Sequence, residues 1–350
     1  MSFDGRNNIQ LAINKEKYMH DSVIVPVYNV KSYLPCCIEK LKEQVYQDYE
    51  VVLVDDGSTD GSEKICDEIV KNDGRFRVIH KKNEGLISAR RTGIKAAKGD
   101  YFLFCDSDDF YEPNTIQKVD SIIKATNADL VVFNAYTYNG KEKENFSKPV
   151  FKDGIIEKKV FIKKMFDSYA LNSMCMKAMK RTIVDIEKKY NLFYSCNFGE
   201  DLLQSMPVII NANTIYYTSN RLYNYRIASG MMRRYSSEYY WSYKKVNSEI
   251  LKLLENAGVQ DAKTEIITHL LKVVYGNIIQ SQFASKCPIT EWEKIWKDPK
   301  YQEADSAFKS PKNRINLEYK EKIFLMLFRN KQYRILYYIV KIKKYITAKR

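Results

Sequence analysis

The sequence predicts an α/β fold: a Rossmann-like, mostly parallel sheet flanked by helices, followed by a helical C-terminal region. Three observations predict it. Short uninterrupted apolar runs recur through the first hundred residues, helical patterns fill the gaps between them, and carboxylates follow two of the runs directly. Strand–helix alternation at this spacing implies parallel strands joined by right-handed crossovers.

Ser22–Val27 is the first run, continuous rather than alternating, as expected of a strand buried on both faces. Ile38, Leu41 and Val45 then fall at helical spacing within 35–45. Val51–Val54 is a second buried strand, closed by Asp55-Asp56-Gly57. Asp60 and Glu63 have the spacing of a capping box, and Ile65, Ile69 and Val70 supply the apolar face of the helix after it. Phe76–His80 reads as a third strand, and Leu86, Ala89, Gly93, Ile94 and Ala97 mark the next helix. Tyr101–Cys105 is a fourth buried strand and Leu130–Asn134 a fifth.

Composition narrows the classes. At 350 residues, 45% hydrophobic and 29% charged, the chain is globular and long enough for one large domain or two modest ones. The balance of 57 Lys+Arg against 43 Asp+Glu leaves +14, and Tyr occurs 27 times. Such a chain could serve nucleic acid, a membrane surface or an anionic substrate. Seven cysteines without a C-x-x-C pair and only three histidines argue against a disulfide framework or a zinc module, and fit the reduced thiols of a cytoplasmic protein. Residues 1–21 lack the apolar core of a secretory signal, and no apolar run reaches the roughly 18 residues of a membrane span.

No G-x-G-x-x-G follows the first strand and no G-x-x-x-x-G-K-[ST] occurs, so dinucleotide and P-loop sites lose their main support. Acidic residues stand at the strand ends instead, where open α/β sheets bind ligands. Asp106, Asp108 and Asp109 follow the fourth strand; in an extended chain Asp106 and Asp108 project to one side. Carboxylates crowded at the lip of an apolar sheet repel one another, and a hard divalent cation, Mg²⁺ or Mn²⁺, relieves that cost. Beside a nucleotide fold, such an ion suggests a diphosphate ligand. Asp55 and Asp56 then suit a base N–H or ribose hydroxyls, although Asp-Asp-Gly-Ser is also good turn chemistry.

Taken together, Val25-Pro26-Val27-Tyr28-Asn29, Val54-Asp55-Asp56-Gly57-Ser58-Thr59-Asp60, Gly99-Asp100-Tyr101 and Asp106-Ser107-Asp108-Asp109 resemble family 2 glycosyltransferases of GT-A fold. The resemblance implies transfer of a sugar, with inversion, from a nucleotide diphosphate sugar, usually a UDP-sugar. It implies Pro26 and Tyr28 near the nucleobase, Asp56 on uracil or ribose, Asp106 and Asp108 as the D-x-D pair with Asp108 the main metal ligand, and Arg90 near the diphosphate. Arg91 stands where the family usually has Asn. Inversion by direct displacement needs a carboxylate opposite the leaving group, and Gly199-Glu200-Asp201-Leu202-Leu203 resembles the family's Glu-Asp motif, with Asp201 as general base. Leu222–Arg226 and Gly230–Arg234 resemble the segment closing the catalytic domain, where Arg233 or Arg234 would meet the departing diphosphate.

The resemblance covers residues 21–235, leaving 1–20 as a leader and 236–350 as a helical region. In the latter, Ile250, Leu251, Leu253 and Leu254 mark one helix, and Ile266, Ile267, Leu270, Leu271 and Val274 another. From Lys322 to Arg350 there are nine basic residues and no acidic one, set between apolar and aromatic runs. That pattern suits a helix lying peripherally on the inner face of the cell membrane, or one packed on the domain with its Lys stems snorkelling. No nucleic-acid motif accompanies the charge.

The expectation is therefore a cytoplasmic, membrane-associated, metal-dependent glycosyltransferase acting on a cell-surface glycan or lipid-linked acceptor. A metal-dependent nucleotidyltransferase would need a basic glycine-rich loop where Tyr28-Asn29-Val30-Lys31 stands. A catalytically silent nucleotide-sugar-binding scaffold would have little use for Asp56, Asp106, Asp108 and Asp201 together.

Overall fold

Every residue of Asp21–Val27 (β1) is buried, which is why this strand reads as a continuous apolar run. Pro26 within it lacks a backbone N–H, and the sheet accommodates this. The Ile24 carbonyl accepts from Cys105 N–H on one side, so the nitrogen of Pro26, two residues on, faces the same side beyond the last paired residue there. The computed structural model describes residues 21–227, 235–259, 262–310 and 315–347.

Leu34–Lys42 (α1), Tyr49–Asp55 (β2), Ser62–Asn72 (α2), Phe76–His80 (β3), Leu86–Ala96 (α3) and Tyr101–Phe104 (β4) follow in the expected alternation. β1 pairs in parallel with β2 on one side and β4 on the other, and β3 extends the sheet beyond β2. The chain thus leaves β1 in both directions, and the carboxyl ends of β1, β2 and β4 form the kind of switch point at which open α/β sheets bind ligands. Two local readings shift. Val45 lies outside α1 and is exposed, its N–H donating to Pro113 O. α2 begins at Ser62 after a left-handed Gly61, so Asp60 caps Ser62 N and also accepts from Lys31 N, while Glu63 reaches back to Gly61 N.

Beyond β4 the sheet becomes mixed. Phe110–Tyr111 (β5), Thr115–Thr126 (α4), Leu130–Tyr138 (β6), Lys143–Asn145 (β7), Gly154–Ile156 (β8), Lys158–Met165 (α5) and Tyr169–Asn172 (α6) lead to Lys177–Lys180 (β9). β9 inserts antiparallel between β4 and the expected fifth strand, β6. Glu200–Asn211 (α7) and Ile215–Arg226 (β10) complete this half, with β10 parallel to β6 and antiparallel to β5.

The helical region comprises Glu238–Asn256 (α8), Ala262–Gln280 (α9), Ile289–Lys297 (α10), Pro299–Lys309 (α11), Tyr319–Arg329 (α12) and Tyr333–Thr347 (α13). Two apolar cores result, and α8 serves both: Val246, Ile250 and Leu254 join the sheet's core, while Tyr239, Tyr240 and Tyr243 join the helical one. Met174, Met176 and Met179 are buried core residues. All seven cysteines are free thiols. Among the described residues no helix is long and apolar enough to cross a membrane.

α3 packs closely on β1 at Gly93, where an added Cβ would lie 2.3 Å from Ile24 Cγ2. Gly93→Ala is expected to cost about 1–3 kcal/mol of unfolding free energy, the usual range for overpacking. The urea midpoint should fall at constant slope; a midpoint equal to wild type would show that the helix can lift off without cost.

Candidate active site

Four segments converge at the carboxyl edge of the sheet, and hydrogen bonds fix each of them. The Tyr28–Lys31 loop is pinned to the Ser58–Ser62 loop: Asn29, at φ 51°, donates through N to Ser58 Oγ and accepts at Oδ1 from Thr59 N. Val30 N donates to Ser62 Oγ. Tyr28 is left half exposed at the mouth, while Pro26 is buried behind it.

Asp55 and Asp56 are both buried and already engaged. Asp55 accepts from Ser58 N and pairs with His80 Nδ1 at 2.8 Å. Asp56 accepts from Lys81 Nζ, from Glu84 N and, at 2.8 Å, from Gly85 N. These contacts shape the 81–85 loop, so the carboxylates expected on the base and ribose also serve as loop supports.

The acidic motif is a turn, not an extended strand end. Asp109 N donates to Asp106 O, closing 106–109, so the same-side convergence expected for residues two apart gives way to turn geometry. Asp109 points inward, accepting from Tyr223 Oη and from Arg226 N at 2.7 Å each. Burial first, then the charges of Asp108 and Asp106, push its carboxyl well above the usual range. Asp106 and Asp108 remain half-buried at the surface of the turn.

Asp201 lies in the first turn of α7, set by a left-handed Gly199 (φ 81°) whose missing Cβ would press on the Tyr243 ring at 3.0 Å. Its neighbour Glu200 is pushed up to about 8, first by burial and then by the charge of Asp201.

Arg90 joins the two acidic elements. Its guanidinium, 1% exposed, donates through Nη2 to Asp106 Oδ1 at 3.0 Å and through Nη1 to Asp201 Oδ1 at 2.5 Å. It lies 5.9 Å over the Phe104 ring. The residue expected near a diphosphate thus ties the D-x-D turn to the Glu-Asp motif, 111 residues away from Arg90. Arg91 donates to the carbonyls of Asp185 and Ile186 and faces the Tyr190 ring, clamping the outer loop. Arg233 and Arg234 lie outside the described residues.

The sequence reading singled out the Leu222–Arg226 segment without giving Tyr223 or Arg226 a role, and missed Lys177. Tyr223 Oη accepts from Asp106 N while donating to Asp109, and Arg226 Nε donates to Asp108 O at 2.8 Å among the rings of Tyr33, Phe110 and Tyr138. The tip of β10 is therefore the mould of the acidic turn. Lys177, fully buried, donates to Leu171 O and Ser173 O beneath the site, and burial pushes its amine down to about 7. A Tyr or Arg at a strand tip carries no local signal of this role; only the fold brings it to the turn.

Among the described residues no group of three or more His, Cys, Asp or Glu is arranged to hold a metal alone. Asp106 and Asp108 are the half-buried carboxylates of the turn, one oxygen of Asp106 being shared with Arg90. A two-carboxylate set suits Mg²⁺ or Mn²⁺, which complete their shells with water and substrate phosphates.

Residues 22–186 match the model of "Glycosyl transferase family 2". The glycosyltransferase GlyG of Streptococcus pneumoniae is 32% identical over 230 residues, covering 63% of this chain and 75% of the relative. The chain belongs to glycosyltransferase family 2. It is accordingly a glycosyltransferase. GlyA of the same organism is 31% identical over 283 residues, and the match covers 78% of this chain but 40% of GlyA. The crystal structure of S. aureus TarS 1–349 in complex with UDP-GlcNAc superposes with a TM-score of 0.66 over 94% of this chain and 92% of that one, at 22% identity, and so shares the fold.

Two predictions follow from these contacts. Arg90→Met removes the cation shared by two partly exposed carboxylates, and is expected to cost about 1.5–3 kcal/mol, with Arg90→Lys recovering part of it. Urea melts of the two variants measure this, and wild-type stability in Arg90→Met would remove the bridge from its structural role. The second concerns His80, whose bond to Asp55, opposed by partial burial and aided by Asp67, raises it above 6.5. Its stabilisation is complete below about pH 6.5 and fades as pH rises through the raised value. The deficit in melting temperature of His80→Gln should therefore be larger at about pH 5.5 than at about pH 8.5; a deficit independent of pH would count against the ion pair.

Proposed function

We propose that this enzyme is an inverting, metal-dependent transferase that moves a sugar from a UDP-sugar to a hydroxyl of a growing cell-surface glycan or lipid-linked acceptor. The observation that carries the reading is the Arg90 bridge, which sets the donor-side turn and the candidate base on opposite arms of one guanidinium. The UDP-GlcNAc bound by the fold neighbour TarS supports the donor class. We assign catalysis to residues 21–235 and an accessory, peripherally membrane-associated role to the helical region.

In this reading the nucleoside lies against Pro26 and Tyr28 near the Asp55-Asp56 turn, and the diphosphate lies over Asp106 and Asp108. Asp108 and Asp106 would hold a divalent ion, which would supply charge neutralisation to the departing diphosphate. Asp201 accepts the proton of the acceptor hydroxyl as its oxygen bonds to the anomeric carbon. The bond from that carbon to the phosphate oxygen breaks, and its electron pair leaves with UDP. Arg90 holds Asp201 in place through Oδ1, leaving it partly exposed. Beside it, burial and the neighbouring charge hold the Glu200 carboxyl above its usual range.

A panel of UDP-sugars with Mn²⁺, assayed for release of UDP, tests the activity and identifies the donor. Asp201→Asn is expected to lower transfer by about 10²-fold or more while calorimetry shows intact donor binding. Asp108→Asn should abolish the Mn²⁺ dependence of that binding. Full turnover in Asp201→Asn would overturn the base assignment, and an unaltered Mn²⁺ dependence in Asp108→Asn the metal assignment.

A further inference from the structure

α13 is apolar on two sides. Tyr333, Leu336 and Val340 are buried in the helical core, with Tyr337 at its margin. On the other side Ile335, Tyr338, Ile339 and Ile342 stand in solvent, 48%, 65%, 37% and 59% exposed. Their spacing of i, i+3, i+4 and i+7 aligns them in one stripe along the helix. A helix that only packs on its own domain needs one apolar face, and a second continuous stripe marks a surface that meets something else.

The charges around the stripe distinguish the occupants. Lys331 and Arg334 at the start of α13 and Lys322 on α12 are exposed, and no acidic residue occurs from Lys322 to Arg350. A second copy meeting this face about a two-fold axis would oppose cations with cations. An anionic lipid surface would take the same cations favourably, with the isoleucines in its interface and the Tyr338 ring at headgroup level. The helix need not detach, because Lys341 Nζ bonds Ala284 O at 2.7 Å and Gln282 O at 3.1 Å on the packed side.

We propose that the Ile335–Tyr338–Ile339–Ile342 stripe of α13 is the surface on which this protein rests on an anionic bilayer, its opposite face staying docked in the helical core. This deepens the peripheral role assigned above and rests on it. The test sediments the full chain with vesicles of phosphatidylcholine alone or with added phosphatidylglycerol. Wild type is expected to bind the anionic vesicles only. The triple variant Ile335→Gln, Ile339→Gln, Ile342→Gln and the double variant Lys322→Gln, Arg334→Gln should each lose about tenfold or more of that affinity at unchanged melting temperature. Wild type remaining unbound would overturn both the stripe and the peripheral role. Undiminished binding by the triple variant would overturn the stripe alone. Triple-variant loss of a dimer in sedimentation velocity, with vesicle binding retained, would assign the face to a second copy instead. Release of UDP in solution, measured on the same samples, reports separately on the glycosyltransferase reading.

Discussion

The architecture of the site depends on one buried guanidinium. Arg90 comes from α3, packed under the sheet, and reaches out between an acidic turn and the first turn of a helix from far along the chain. Two carboxylates at the mouth of a cleft repel, and a cation bonded directly to both converts that repulsion into a constraint on each. Because the guanidinium is planar, it fixes direction as well as proximity. Asp106 and Asp201 are thus set relative to each other before any ligand arrives.

Around that link the acidic turn is built from outside. Tyr223 and Arg226, at the tip of β10, hold its backbone and the inward Asp109, while β5 pairs with the same strand. The three aspartates therefore divide their work. One is buried as a structural acceptor, and two are left at the surface. This division lets a strongly acidic motif sit against Phe104 and Cys105 without requiring all three charges to be desolvated together.

The parallel half of the sheet was legible because its strands are buried on both faces and so appear as unbroken apolar runs. β9 was not. Its four residues, Lys177-Ala178-Met179-Lys180, begin and end in Lys, and nothing local marks a central strand. The motif residues were legible individually, yet their engagements were not. The family resemblance implies Arg90 near the diphosphate, and only the folded turn after β4 and the return of α7 reveal its partners Asp106 and Asp201. The D-x-D pair, likewise, reads as extended until the Asp109 N–H to Asp106 O bond turns it. The C-terminal region offered two readings, a basic, aromatic helix on the membrane or one packed on the domain; α13 packs Tyr333, Leu336 and Val340 into the helical core and leaves its other face exposed.

The sharing of α8 between the two cores bears on how the protein comes apart. Its first turns carry Tyr239, Tyr240 and Tyr243 into the helical core, and its later turns carry Val246, Ile250 and Leu254 into that of the sheet. Losing the helical core therefore frees one end of a helix whose other end the sheet needs for its own packing. The two halves are joined through shared core residues and not by a linker alone, so damage to either core is felt in the other.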